Sequence, residues 1–87
     1  MNKKVYSSWA EVFEAFSDSE KAKIKAYVAD ACGVVAVAVD DDKVINDVCT
    51  YFGVYADGST NVHGNDVPDV IDGVPACTKE NFLWALS

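Results

Sequence analysis

The chain has 87 residues, 51% of them apolar and ten of them aromatic, enough to fill one small core and too few to build two. Fourteen acidic groups against seven lysines give a net charge of -7, and there is no arginine. The apolar content argues against disorder, and the charge balance against direct nucleic-acid binding, which normally calls for a basic patch and for arginine's bidentate contacts. The excess charge is unevenly placed: residues 1–29 hold five lysines and four acidic groups, whereas residues 30–87 hold Lys43 and Lys79 against ten.

Lys3 and Lys4 are followed by a stretch that Glu11 and Glu14 interrupt, so no signal-peptide core is expected. The longest apolar run, Gly33 to Val39, falls far short of the ~20 residues a membrane-spanning helix needs. Three cysteines, Cys32, Cys49 and Cys77, are an odd number without C-x-x-C spacing. Reduced thiols in the core and a cytoplasmic location are the expectation, with no disulfide framework and no zinc site.

Ser8 and Glu11 have the S-x-x-E spacing of a capping box, and Trp9, Val12, Phe13 and Phe16 follow at the intervals of one helical stripe, predicting a helix over 9–16. Ser17 and Glu20 repeat the device, so a second helix is expected over 18–32. Its buried side is read as Ile24, Tyr27, Val28 and Ala31, with Lys21, Lys23 and Lys25 pointing away. Gly33 suits the left-handed position that ends such a helix, with Val34 behind it.

The run VVAVAV over 34–39 is β-branched enough to favour a short buried strand over continued helix. Asp40 then caps a third helix over 41–52, whose apolar positions Val44, Ile45, Val48, Cys49 and Phe52 fit a helical period and which Gly53 and Val54 close. From Tyr55 to Pro75 the composition turns to Asp, Gly, Asn, Ser and Thr, with turn signals at Asp57-Gly58, His63-Gly64 and Asp72-Gly73. Asp66 is read as capping a short helical turn through Ile71, with Pro68 in its first turn. Thr78 caps the last helix, over 79–86, with Phe82, Leu83 and Leu86 inward and Trp84 elsewhere. The fold expected is a mainly α single domain spanning 1–87, a small bundle of four helices, with α+β as the alternative if 34–39 is a strand.

Chemical signatures are weak. In DGSTNVHGNDVPD, Asp57, Ser59 and Asn61 alternate like calcium ligands, but Val62 stands where a calcium loop requires glycine and Pro68 where it requires glutamate. His63 is the only histidine, and its nearest thiols, Cys49 and Cys77, each lie fourteen residues away. It is read as a loop residue without a chemical task. No catalytic residue, no metal and no cofactor is therefore expected, and the chain is not expected to be an enzyme.

What remains is the acidic surface. Asp40, Asp41, Asp42 and Asp47 form one cluster, and Asp66, Asp69 and Asp72 a second. Capping and solubility explain either cluster alone. If both lie on one side of so small a domain, their fields overlap within about one Debye length and make one negative face. These seven aspartates are the expected partner-binding residues, and the expected partner is a basic protein surface, such as that of a nucleic-acid-binding protein. The character is that of small acidic inhibitors of the immunity or phage anti-defence type, which act by covering a partner's working surface. The alternative is a self-associating or structural subunit that uses 34–39 or the last helix with Trp84 as its interface. No membrane partner is expected, and the state in solution should be monomer or dimer.

Overall fold

In the computed structural model, which describes residues 4–53 and 67–87, four helices meet at an aromatic junction and a two-stranded hairpin packs beside the last of them. The helices are α1 (Trp9–Glu14), α2 (Asp18–Cys32), α3 (Asp41–Phe52) and α4 (Lys79–Leu86). A 3-10 turn, Ala36–Ala38, links α2 to α3, and the hairpin is β1 (Val70–Ile71) with β2 (Val74–Pro75). The mainly α fold expected from the sequence is the one observed. Val54 and residues 57–66 of the calcium-like stretch 57–69, His63 and Asp66 among them, lie outside the described residues.

Side-chain caps start every α-helix, because the first backbone N–H groups of a helix have no partner within it. Ser17 Oγ accepts from Glu20 N–H at 3.2 Å and Glu20 returns the bond to Ser17 N–H at 3.0 Å, a complete capping box for α2. At α1 the box is shifted. Ser8 Oγ accepts from Glu11 N–H at 3.2 Å, but the Glu11 carboxylate reaches past Ser8 to Ser7, accepting from its N–H at 3.1 Å and its hydroxyl at 2.7 Å. Asp40 caps α3 through Lys43 N–H at 2.8 Å, and Thr78 caps α4 through Asn81 N–H at 3.2 Å.

Helix α1 stops at Glu14, two residues short of the expected end, since the chain must reverse at once into the Ser17 cap. Phe16 is buried all the same. Helix α2 ends as expected: Gly33 adopts φ 72°, its N–H bonds Asp30 O at 3.2 Å and Val34 N–H bonds Ala29 O at 2.9 Å, the paired bonds of a Schellman motif.

The core is built where α1, α3 and α4 converge. Phe13, Phe52 and Phe82 are at most 1% exposed. Phe82 stacks on Phe13 at 5.6 Å between centroids, Trp9 stacks on Phe52 at 5.1 Å, and Phe16 tilts against Phe82 at 5.6 Å. Val12, Val44 and Val48 fill the space between the rings, and Ile24, Val28 and Ala29 bring α2 onto the same cluster.

Four expectations about facing are corrected. Residues 34–39 make no strand: Ala36–Ala38 form a 3-10 turn, only Val39 is buried, and Val37 is 94% exposed. Among the described residues the run has no neighbouring strand to pair with, and β-branching alone does not supply one. On α2, Tyr27 and Ala31 are exposed and Ala29 takes the inward place. On α4, Leu83 is 46% exposed, while Trp84 is half-buried, stacking on Phe52 at 6.1 Å and meeting Tyr51 edge-on at 5.4 Å. The helical turn expected to run through Ile71 is instead a hairpin, with Ile71 opposite Val74 across Asp72 and Gly73. Both turn residues have positive φ, 53° and 79°, as a type I′ turn requires, which is why Asp-Gly suits it.

Candidate interaction surface

The displaced face of α4 traces to Asn81, which sequence reasoning assigned no role. Asn81 is fully buried, and its Nδ2 donates to the carbonyls of Asp69 and Ala76, each at 2.8 Å. Its Oδ1 accepts from Asp69 N–H at 3.4 Å. Thr78 Oγ1, also buried, donates to Asp69 Oδ2 at 3.1 Å. Burying these polar groups is tolerable only because each finds a partner, and the network turns the stripe Thr78, Asn81, Phe82, Ala85 inward. The network also pins the base of the hairpin, where Ala76 N–H bonds Asp69 O at 3.0 Å. The neighbouring Cys77 carbonyl accepts from Tyr6 N–H at 2.8 Å, tying the segment before α1 to the same place.

Asp69 is thus built into the scaffold and is only half-exposed. Asp72 sits exposed at the hairpin tip. In the other cluster, Asp40 and Asp42 are exposed at the start of α3, with Asp40 also serving as the cap. Asp41 pairs with Lys25 at 2.7 Å and Asp47 with Lys43 at 2.8 Å. Lys25, expected on the side of α2 away from its buried stripe, therefore reaches the α3 aspartates. Ion pairs this exposed contribute little to stability, but they lower the net charge of the cluster.

Two more cations lie over rings of Phe13 and Phe16. Lys21 pairs with Glu14 at 2.8 Å and lies over the Phe13 ring at 5.8 Å, and Lys79 lies over Phe16 at 5.2 Å. Hydrogen bonding to Glu14 raises the Lys21 pKa, and hydrogen bonding to Asp47 raises that of Lys43. Glu20 is held below the usual carboxylate value by its bonds to Ser17, and Glu11 by its bonds to Ser7. No acidic side chain among the described residues is buried.

Cys32, expected in the core, is exposed at the end of α2 because the turn at Gly33 leads away from the core. Cys49 and Cys77 are half-buried, and burial pushes both thiols above their usual pKa, keeping them protonated and poorly nucleophilic at neutral pH. Among the described residues no group of three His, Cys, Asp or Glu side chains is placed to hold a metal ion, and no helix is long and apolar enough to cross a membrane.

A second surface feature went unread in the sequence. Tyr27, 52% exposed, and Leu83 border an apolar trough between α2 and α4 floored by Ile24 and Leu86, with a volume of about 250 Å³. Past Tyr27 and Leu86 it continues toward Ala31 and Tyr51, in a second lobe of about 320 Å³. Lys23 stands at one end and Asp47 at the other. The signal for it was present: the α2 stripe of Ile24, Tyr27, Val28 and Ala31 is apolar throughout, but the rest of the fold covers only part of it.

No protein-family model matches this chain, and neither a curated protein nor a solved structure does.

Proposed function

We propose that the chain is a small acidic binding protein, an inhibitor or modulator that docks a negative surface on a basic partner protein. The observation that carries this reading is the placement of charge: the chain bears -7, and none of its described carboxylates is buried. Lys21, Lys25 and Lys43 are engaged in ion pairs, and Lys4 and Lys79 lie over aromatic rings. Asp40 and Asp42 meanwhile face solvent at the start of α3. Such a surface steers encounter with cationic surfaces, including those that hold nucleic acid, and speeds association. Asp40, Asp42 and Asp47 on α3 are its contact residues, with Asp72 at the hairpin tip, whereas Asp69 is taken up by the scaffold at the base of the hairpin. Reduced thiols and an acidic, arginine-free surface suit work in the cytoplasm, without catalysis or cofactor.

The test is capture on the immobilised full chain, eluted with rising salt. A partner with a basic surface, released at moderate salt and poorly retained by Asp40→Asn/Asp42→Asn, is the expected result. Retention indifferent to both salt and substitution sinks the reading.

One observation favours the alternative of self-association: Val35 is 67% exposed and Val37 94% exposed on the turn between α2 and α3. Sedimentation at rising protein concentration separates the two. A self-associating subunit forms a multimer at all salt concentrations and loses it on Val37→Ser, whereas an acidic binding protein carrying -7 per copy stays small, most of all at low salt.

A further inference from the structure

The trough between α2 and α4 is an uncovered continuation of a core-facing stripe. Ile24 and Val28 are buried against the rest of the fold, but Tyr27 and Ala31, on the same side of α2, are not. Leu83 of α4 faces it at 46% exposure, and its apolar wall passes from Leu86 to Tyr51 on α3. From Lys23 to Ala31 it follows α2 for about 12 Å, roughly two turns of an opposing helix. Its two lobes, about 250 and 320 Å³, share Tyr27 and Leu86 and so lie in succession along α2 rather than as one rounded cavity. The shape is that of a groove for a rod.

Charge selects the rod. A second copy of this chain would bring -7 against -7, an unfavourable approach at low salt. Asp47 lines the α3 end of the trough, where one of its oxygens already bonds Lys43 at 2.8 Å, and the last turn of α2, with its partly negative carbonyls, lies beside it at Ala31. That end favours a cation. Lys23 at the opposite end favours a carboxylate or the C-terminal carbonyls of a bound helix.

We propose that this trough binds an amphipathic helix of a basic partner protein, with apolar side chains at i, i+4 and i+7 seated between Tyr27 and Leu83 and a lysine or arginine at the Asp47 end. The proposal rests on the acidic-docking reading and adds to it the place and form of the contact. The long-range field brings the partner in, and the trough supplies the apolar burial that holds it.

The test uses the full chain and a synthetic tryptophan-free peptide with leucines at i, i+4 and i+7 and lysines on its other faces. Trp84 serves as the reporter, because it meets Tyr51 edge-on in the trough wall. Three controls accompany it: a lysine peptide without leucines, the leucine peptide with glutamates for lysines, and the chain carrying Tyr27→Ser/Leu83→Ser. Both substituted side chains are about half-exposed, so the fold should survive, which a thermal midpoint checks.

Expected are saturable binding of the leucine–lysine peptide, at least about tenfold weaker binding to the Tyr27→Ser/Leu83→Ser chain, and about threefold weaker binding to Asp47→Asn at low salt. The glutamate peptide should bind far less. If the double variant binds the peptide unchanged while the lysine-only peptide also binds, the trough is not the site, although acidic docking survives. If the glutamate peptide binds as well as the lysine one, both the basic occupant and the reading beneath it fall. Self-association that Tyr27→Ser/Leu83→Ser abolishes would seat a second copy in the trough and overturn the proposal.

Discussion

The aspartates at the start of α3 and the aspartate at the base of the hairpin look alike in the sequence, yet they do different work. Asp40 and Asp42 are exposed, and only Asp40 bonds backbone, at a helix end. Asp69 is bonded through its N–H, its carbonyl and its carboxylate to the buried pair Thr78 and Asn81. The difference lies in what surrounds them: a helix start facing water leaves charge free to act at a distance, and a buried amide draws its neighbours into the scaffold. Composition therefore finds acidic groups without showing which of them are available to a partner.

The largest effect tests the platform under both regions. Phe13 is 1% exposed and stacks on Phe82, so Phe13→Ala should cost about 3–5 kcal/mol in chemical denaturation. A cost below ~1 kcal/mol would mean that the aromatic junction does not carry the fold.

Next comes the hairpin side. Asn81→Ala removes one of two donors from each of the Asp69 and Ala76 carbonyls and the acceptor from Asp69 N–H, and should cost about 1–3 kcal/mol. Amide exchange should rise at Ala76, whose N–H bonds Asp69 O. An Asn81→Ala chain as stable as the parent would make Asp69 an ordinary surface charge and erase the contrast with α3.

How much of this was legible follows from range. The caps at Ser17, Asp40 and Thr78 and the stop at Gly33 are set by bonds within a few residues, and all four stand where the sequence places them. The Asp72-Gly73 turn was legible too, as a local signal, but not the strands that it joins. The facing of α4 was not, because it depends on Asn81 meeting carbonyls five and twelve residues back. A polar residue in an apolar helix is ordinarily placed outward. The run at 34–39 failed for the converse reason: its β-branched composition implies a partner strand that none of the described residues supplies. Of the candidate site, the acidic groups were visible as residues, but their pairing with Lys25 and Lys43 was visible only at i,i+4 spacing, as for Asp47.

On the α3 side the effects on stability should be smaller. Asp40→Ala removes a cap and should cost about 1 kcal/mol, whereas Asp42→Asn should stay within about 0.5 kcal/mol. A larger cost for Asp42 than for Asp40 would show that the dipole, and not the 2.8 Å bond to Lys43 N–H, governs this helix start.

The response to acid should be gentler still. Glu11 and Glu20 have folded pKa values below their ordinary 4.5, so their contribution is fully present above that value and fades as pH falls through the lowered folded values. Glu20→Gln should lower the thermal midpoint slightly above pH 6 and flatten its decline below pH 4.5, so that the two chains converge in acid. An unaltered acid profile would remove the capping carboxylate from the account.

The most direct test of the acidic-docking claim is the association rate of the captured partner with the parent chain and with Asp40→Asn/Asp42→Asn, across a series of salt concentrations. The account predicts a rate for the parent that falls steeply with salt, a slower and flatter dependence for the variant, and dissociation rates that differ little between them. Equal rates for the two chains at every salt concentration would contradict it.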